Sequence, residues 1–134
     1  MSLRDKLAAP HWNGAVEFTI DHRSADQVTA TMPIQDGMLN PFGTVHAGAM
    51  IWFADIVATI CALGNVDTVE DNGRGFPLAV DLHTVLVGNE REGKLQAIAR
   101  PVKRGKKLTV IRTEVRGRSN RVLVEMTTTH LVAD

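Results

Sequence analysis

Residues 40–64 read Asn40-Pro41-Phe42-Gly43-Thr44-Val45-His46-Ala47-Gly48-Ala49-Met50-Ile51-Trp52-Phe53-Ala54-Asp55-Ile56-Val57-Ala58-Thr59-Ile60-Cys61-Ala62-Leu63-Gly64. A polar, glycine-containing loop with turn signals at Asp36-Gly37 and Pro41-Phe42-Gly43 feeds a stretch that is apolar nearly all round. The spacing predicts a helix from Ala47 to Leu63 with Gly64 as its C-cap, about 25 Å long. A helix apolar on every side is expected to be buried on every side. It carries one carboxylate, Asp55, which is costly to bury unless something pairs with it or uses it. The small residues at its start leave backbone N–H groups free at a helix N-terminus, where a developing negative charge is stabilised. An oxyanion site plus a carboxylate base suggests acyl transfer to water.

The flanking sequence supplies strands. Val16, Phe18 and Ile20 alternate with polar or small residues, and residues 27–32 form a second strand that Pro33 ends. After a polar loop over 65–75 come four segments of strand character, 76–87, 94–102, 107–116 and 121–132. Gly88 to Gly93, Gly105 and Gly117-Arg118-Ser119-Asn120 mark connections that read as hairpins. Residues 1–14 read as a short lead-in with a turn at Asn13-Gly14. The order strand, strand, helix, four strands requires one curved antiparallel sheet to wrap a helix with no polar side. Such a sheet keeps edges and leaves the helix ends uncovered, so a homodimer is expected, and a homotetramer as a dimer of dimers.

Composition bounds the rest. A chain of 134 residues fits one domain, 1–134, with a real core. Fifteen basic and fifteen acidic residues give zero formal net charge, which argues against a general nucleic-acid binder. The polar start, Met1-Ser2-Leu3-Arg4-Asp5-Lys6, argues against a secretory leader, and Asp55 and Thr59 interrupt the best apolar run, so no membrane span is expected. A single cysteine, Cys61, excludes an internal disulfide framework and reads as a small core residue. His11, His22, His83 and His130 show no metal-ligand spacing, so no metal is expected. Gly73-Arg74-Gly75 lacks the context of a phosphate loop. A cytoplasmic protein is the simplest expectation.

With these residues on the page, the chain resembles the hotdog-fold thioesterases, most closely the group holding the phenylacetate-pathway (PaaI-like) and 4-hydroxybenzoyl-CoA thioesterases. The resemblance runs from about residue 15 to 132. Its specific part is an Asn or Gln, six residues to a His-Gly-Gly, then an acid nine residues after the His. Here these are Asn40, His46-Ala47-Gly48 and Asp55, with Ala47 departing from the first glycine. A backbone N–H donor tolerates that change; a very close thioester would feel the added methyl. The resemblance implies an α+β hotdog fold, a curved antiparallel sheet around one long buried helix. It also implies an acyl-CoA or aryl-CoA substrate, with coenzyme A as part of the substrate and no separate cofactor.

The chemistry assigns roles at these positions. The Ala47 N–H is the expected oxyanion donor, with Gly48 beside it. Asn40 either donates its amide to the thioester carbonyl or positions the water, or else serves as a turn residue before Pro41. His46 either bonds that carbonyl or fixes the loop. Asp55 is the nucleophile or general base, against a structural Asp paired elsewhere. Thr59, one turn on, either orients water or bonds back to the carbonyl of residue 55. Ala47 and Asp55 lie eight residues apart, about 12 Å along one helix, too far to share a thioester carbon. The attacking Asp55 should therefore come from a partner chain, and the resemblance implies the same. Arg100, Lys103, Arg104 and Lys106, with Lys107, form a basic run that is either a solvated turn or a site for the CoA phosphates.

Competing readings are a hotdog dehydratase or hydratase, which the Asn40/His46/Asp55 spacing disfavours, and a non-catalytic acyl-CoA binding module. A DNA-binding regulator on this fold would need a helix-turn-helix segment for which there is no room. Only 4% of residues are aromatic, so no stacking platform identifies the acyl group.

Overall fold

A computed structural model of the protein describes residues 2–12 and 16–133. In chain order the elements are α1 (Leu3–Ala8), β1 (His11–Trp12), β2 (Phe18–Arg23), β3 (Val28–Pro33), α2 (Ala47–Leu63), β4 (Pro77–Leu86), β5 (Lys94–Arg104), β6 (Leu108–Arg116) and β7 (Val122–Val132). The expected helix and all six expected strands are present. The turn expected at Asn13-Gly14 lies outside the described residues. The lead-in holds the helix α1, signalled by Ser2 and Asp5: the Ser2 hydroxyl accepts from the Asp5 N–H at 3.1 Å, and the Asp5 carboxylate accepts from the Ser2 N–H at 3.2 Å.

The strands form one antiparallel sheet in the order β1-β2-β3-β5-β6-β7-β4. Period-two alternation gives it an inner face of Ala30, Met32, Leu95, Ala97, Ala99, Ile111, Val115 and Met126, all buried. Against it α2 sets Met50, Phe53, Ala54, Val57, Ala58 and Cys61. Alanines on both surfaces (Ala54 and Ala58 on the helix, Ala30, Ala97 and Ala99 on the sheet) fill the interior with small side chains. This is the hotdog arrangement.

Two expectations are corrected. The connection from Gly88 to Gly93 is not a hairpin, because β4 pairs with β7 and not with β5. The Val87 and Gly88 N–H groups both donate to the Leu123 carbonyl, at 2.9 and 3.2 Å, which holds the end of β4 against β7 while the chain crosses to β5. Nor is α2 buried all round. A single sheet covers one side, and Ile51, Trp52, Asp55, Ile56 and Thr59 remain only half-buried on the other. The edge strand β4 likewise exposes apolar side chains, with Val80 at 58% and Leu78 at 51%.

The two ends of α2 are treated differently. At its C-terminus Gly64 adopts φ +64° and donates to the Ile60 carbonyl at 3.2 Å. Arg104 then reaches the last turn: Nη1 donates to the Ala62 carbonyl and Nη2 to the Cys61 carbonyl, both at 3.0 Å, and Nη2 also to Ala25 at 3.1 Å. Arg104→Ala should therefore cost about 1–2 kcal/mol in a denaturant melt, with Lys103→Ala within about 0.5 kcal/mol of wild type. Equal effects of the two substitutions would contradict this capping role.

Candidate active site

The loop leading into α2 is folded by Asn40. Its Oδ1 accepts from the Phe42 N–H at 2.9 Å and the Thr44 N–H at 3.2 Å, and its Nδ2 donates to the Thr44 hydroxyl at 2.8 Å. Backbone bonds Asn40 to Thr44 at 2.8 Å and Gly43 to Asn40 at 2.9 Å close the turn. Asn40 thus acts as the turn residue, with one amide hydrogen left over. The crossover segment braces the loop: Asn89 exchanges side-chain hydrogen bonds with both backbone groups of Val45, at 2.8 and 3.1 Å. Glu90, buried, supports the crossover by pairing with Arg121 and accepting from the Arg118 N–H at 3.3 Å.

His46 occupies the N-cap of α2. Its N–H donates to the Met38 carbonyl at 2.8 Å, but its exposed side chain makes no capping bond. The N–H groups of Ala47 and Gly48 have no acceptor among the described residues. Both residues are exposed, and a Cβ added to Gly48 meets nothing within 4 Å. Glycine inside a helix costs about 1 kcal/mol relative to alanine. No contact within the chain requires it here, so the open space over Gly48 is suited to something from outside.

Asp55 lies two turns further along, on the side of α2 that the sheet leaves open. It helps wall an apolar cavity of about 290 Å³ together with Leu7, Ile56, Thr59, Ile60, Leu63 and Phe76. Its Oδ1 is buried and has no hydrogen-bond partner among the described residues. Burial pushes its carboxyl above the ordinary carboxylate range, and His130 opposes that rise. The Thr59 hydroxyl donates back to the Asp55 carbonyl at 2.9 Å, the intrahelical arrangement, while the residue still lines the cavity.

His130 carries no signal in the sequence beyond alternating with buried residues of β7. It is 1% exposed, and its Nε2 lies 2.8 Å from the Thr128 hydroxyl oxygen. Burial lowers its pKa, against which the Pro77 carbonyl and Asp55 both favour the charged ring. Cys61 is a core residue: its thiol donates to the Ala99 carbonyl at 3.7 Å, and burial pushes its pKa up.

The basic run lies at the opposite end of α2 from Ala47. Arg100 is exposed beside Arg112 on the outer sheet face, Lys103 and Lys106 are exposed, and Arg104 is tied to the helix carbonyls. Among the described residues no group of three His, Cys, Asp or Glu side chains is placed to hold a metal ion. Nor is any helix long and apolar enough to cross a membrane.

The fold and this loop–helix site define a chain of the hotdog class, and its structural neighbours agree. It superposes with a TM-score of 0.76 on a thioesterase from Haemophilus influenzae, 22% identical over 87% of this chain and 78% of that one. A hypothetical thioesterase from Streptococcus pneumoniae, solved with coenzyme A, matches with a TM-score of 0.76 at 14% identity, covering 87% of this chain and 85% of that one. Residues 6–132 match the family described as Domain of unknown function (DUF4442), and the chain belongs to that family. It is also 24% identical to the 1,4-dihydroxy-2-naphthoyl-CoA hydrolase of Escherichia coli K12 over 102 residues, 76% of this chain and 71% of the hydrolase.

The raised pKa of Asp55 gives a stability prediction. Its folded-state value lies above the unfolded one, so the ionised form is penalised in full above the folded value, and the penalty fades as pH falls to the unfolded range. Asp55→Asn should be at least as stable as wild type at neutral pH, and the difference should shrink in acid. Denaturant midpoints at the two pH values test this; a variant less stable than wild type at neutral pH would contradict it.

Proposed function

We propose that the protein hydrolyses an acyl-CoA or aryl-CoA thioester to the free acid and CoA, as a homodimer with two composite sites. The observation that carries this reading is a buried carboxylate oxygen with no partner, set in an apolar cavity on a helix whose first N–H groups also lack acceptors. One subunit's α2 cannot bring the two together, because eight residues of helix separate them by about 12 Å. The exposed apolar edge strand β4 supplies the seam: pairing with β4 of a second copy would cover Leu78, Val80 and Leu82 and lay the open sides of the two helices together.

In this arrangement a water lies against Asp55 of one subunit, and the thioester oxygen faces the Ala47 and Gly48 N–H groups of the other. Asp55 takes a proton from the water as its oxygen bonds to the carbonyl carbon, and the resulting oxyanion is held by the N–H groups and the positive end of α2. Collapse breaks the carbon–sulfur bond, and the thiolate recovers the proton from Asp55 to leave as CoA thiol. Attack by Asp55 itself, through an acyl anhydride that water then opens, uses the same groups and reaches the same products. His46 and Asn40 keep the donor loop in place, and Thr59 lines the acyl side.

The acyl group is apolar. Apart from Asp55 and Thr59, the cavity is walled by aliphatic side chains and Phe76, with no basic residue among them, and its volume of about 290 Å³ suits the acyl moiety rather than the nucleotide. For the phosphates, Lys103, Lys106 and Lys107 are exposed cations of the basic turn, with Arg100 further off on the outer face. The hydrolase from Escherichia coli and the neighbour solved with coenzyme A support a CoA thioester as substrate.

Thiol release from a panel of aryl- and alkyl-CoA thioesters tests the reading. Wild type should turn over substrates with uncharged acyl groups, and Asp55→Asn should lose about a hundredfold or more in kcat while staying folded and dimeric. CoA thioesters that bind without turnover would replace the hydrolase by a binding module. Undiminished turnover in Asp55→Asn would remove Asp55 from the chemistry.

A further inference from the structure

We infer that His130 is a positioning residue for Asp55, a buried imidazole held by Thr128 that keeps the carboxylate ionised inside its apolar cavity. This rests on the reading of Asp55 as the reacting carboxylate. The geometry begins with register. His130 faces inward on β7, opposite Ala79 of β4 and Thr109 of β6, and Ala79 lines the same cavity as Asp55. The imidazole therefore lies on the same sheet face as the cavity wall at Ala79.

A histidine at 1% exposure is an unfavourable choice for a core position that a leucine or methionine could fill. Its Nε2 is engaged by Thr128, itself fully buried; its Nδ1 makes no well-formed hydrogen bond among the described residues, although the Pro77 carbonyl lies close enough to favour the charged ring. The Thr128 hydroxyl has no other acceptor among the described residues, so it donates to Nε2. The neutral ring then carries its proton on Nδ1, a tautomer assigned from this network. Asp55 likewise has an Oδ1 that is buried and has no hydrogen-bond partner among the described residues. Each group favours the charged form of the other.

Among the described residues no other charged group acts on the carboxylate from the elements packed on α2, where His22, Lys94 and Lys103 are exposed. On β5, Arg104 is committed to the end of the helix and Arg100 lies on the outer face; on β6, Arg112 is exposed and Glu114 pairs with Arg116. On β4, Asp81 and His83 are exposed, as is Glu125 on β7; on β2, Asp21 accepts from Thr31 and Arg23 donates to Leu7. The strand β3 carries no charged side chain. The consequence is functional. Burial favours the protonated form of Asp55, which is inert as base or nucleophile, and the imidazole counters that without exposing the cavity to water.

The test has two arms. In the first, the ring nitrogen shifts of His130 are titrated by NMR in wild type and in Asp55→Asn. Because Asp55 favours the protonated ring, the midpoint should move to lower pH in the variant; an unmoved midpoint overturns the inference, whether or not any thioester is hydrolysed. In the second, kcat/KM is followed against pH in His130→Gln. The acid limb should move to higher pH, with a loss of about tenfold in mildly acidic buffer, a much smaller one in alkaline buffer, and KM little changed. A loss uniform across pH would mark His130 as structural and overturn the inference. If His130→Gln does not fold, the first arm decides. If wild type turns over no thioester while the midpoint still moves, the hydrolase reading fails and the Asp55–His130 coupling stands.

Discussion

Helix α2 can sit inside a sheet only if its polar groups find partners, and the chain provides for them unequally along its length. At the C-terminal end every device is present: Gly64 in the left-handed region, and the Arg104 guanidinium on the Cys61 and Ala62 carbonyls. At the N-terminal end the loop is held rigidly by Asn40, Thr44, Val45 and Asn89, yet the N–H groups of Ala47 and Gly48 are left open. Midway, Asp55 is half-buried, and its buried Oδ1 has no partner among the described residues. A buried polar atom without a partner, such as the Asp55 oxygen, costs about 1–3 kcal/mol, and both open positions coincide with the surfaces that the sheet fails to cover.

That coincidence links fold to function. A chain optimised for stability would place an apolar residue at 55 and a capping side chain at 46. Here the N-cap is a histidine that makes no cap, and the helix interior holds a carboxylate whose ionised form its surroundings disfavour. Strain of this sort persists where function requires it, supported by a scaffold that over-determines the rest. The scaffold is the continuous core from Phe18 through Met126, with the edge-to-face contacts of Phe18 on Trp52 and Phe53 at 5.4 and 5.0 Å.

The parts legible in the sequence were those set by local chemistry and period. The limits of α2 follow from an unbroken apolar run ended by Gly64, and the strands from alternation in segments such as Leu95-Gln96-Ala97-Ile98-Ala99. The pairing of β4 with β7 was not legible, because Gly88 and Gly93 look like turn residues whether the chain turns back or crosses over. The open side of α2 was hidden for a related reason: Ile51 and Ile56 are as apolar as Val57, and only the extent of the sheet separates them. Arg104 read as one cation among five, since nothing in a charge run shows which member reaches a helix end. His130 shows in the sequence only as a histidine without metal-ligand spacing, because Asp55 and Ala79 are distant along the chain and the register of β7 sets His130 beside Ala79.

The central claim is that Asp55 and the α2 N-terminus work together across two chains. Ala47→Pro probes this with little damage elsewhere, since proline is accepted at the first position of a helix, and His46, at φ −57° and ψ 134°, already has the backbone that must precede it. The substitution removes one N–H and leaves Asp55 untouched. Ala47→Pro and Asp55→Asn should each be inactive as homodimers. Co-expressed, they should form mixed dimers with one intact site, recovering about a quarter of wild-type thioester hydrolysis on random mixing. No recovery in mixed dimers shown to form would place both groups of each site on one chain and contradict the account.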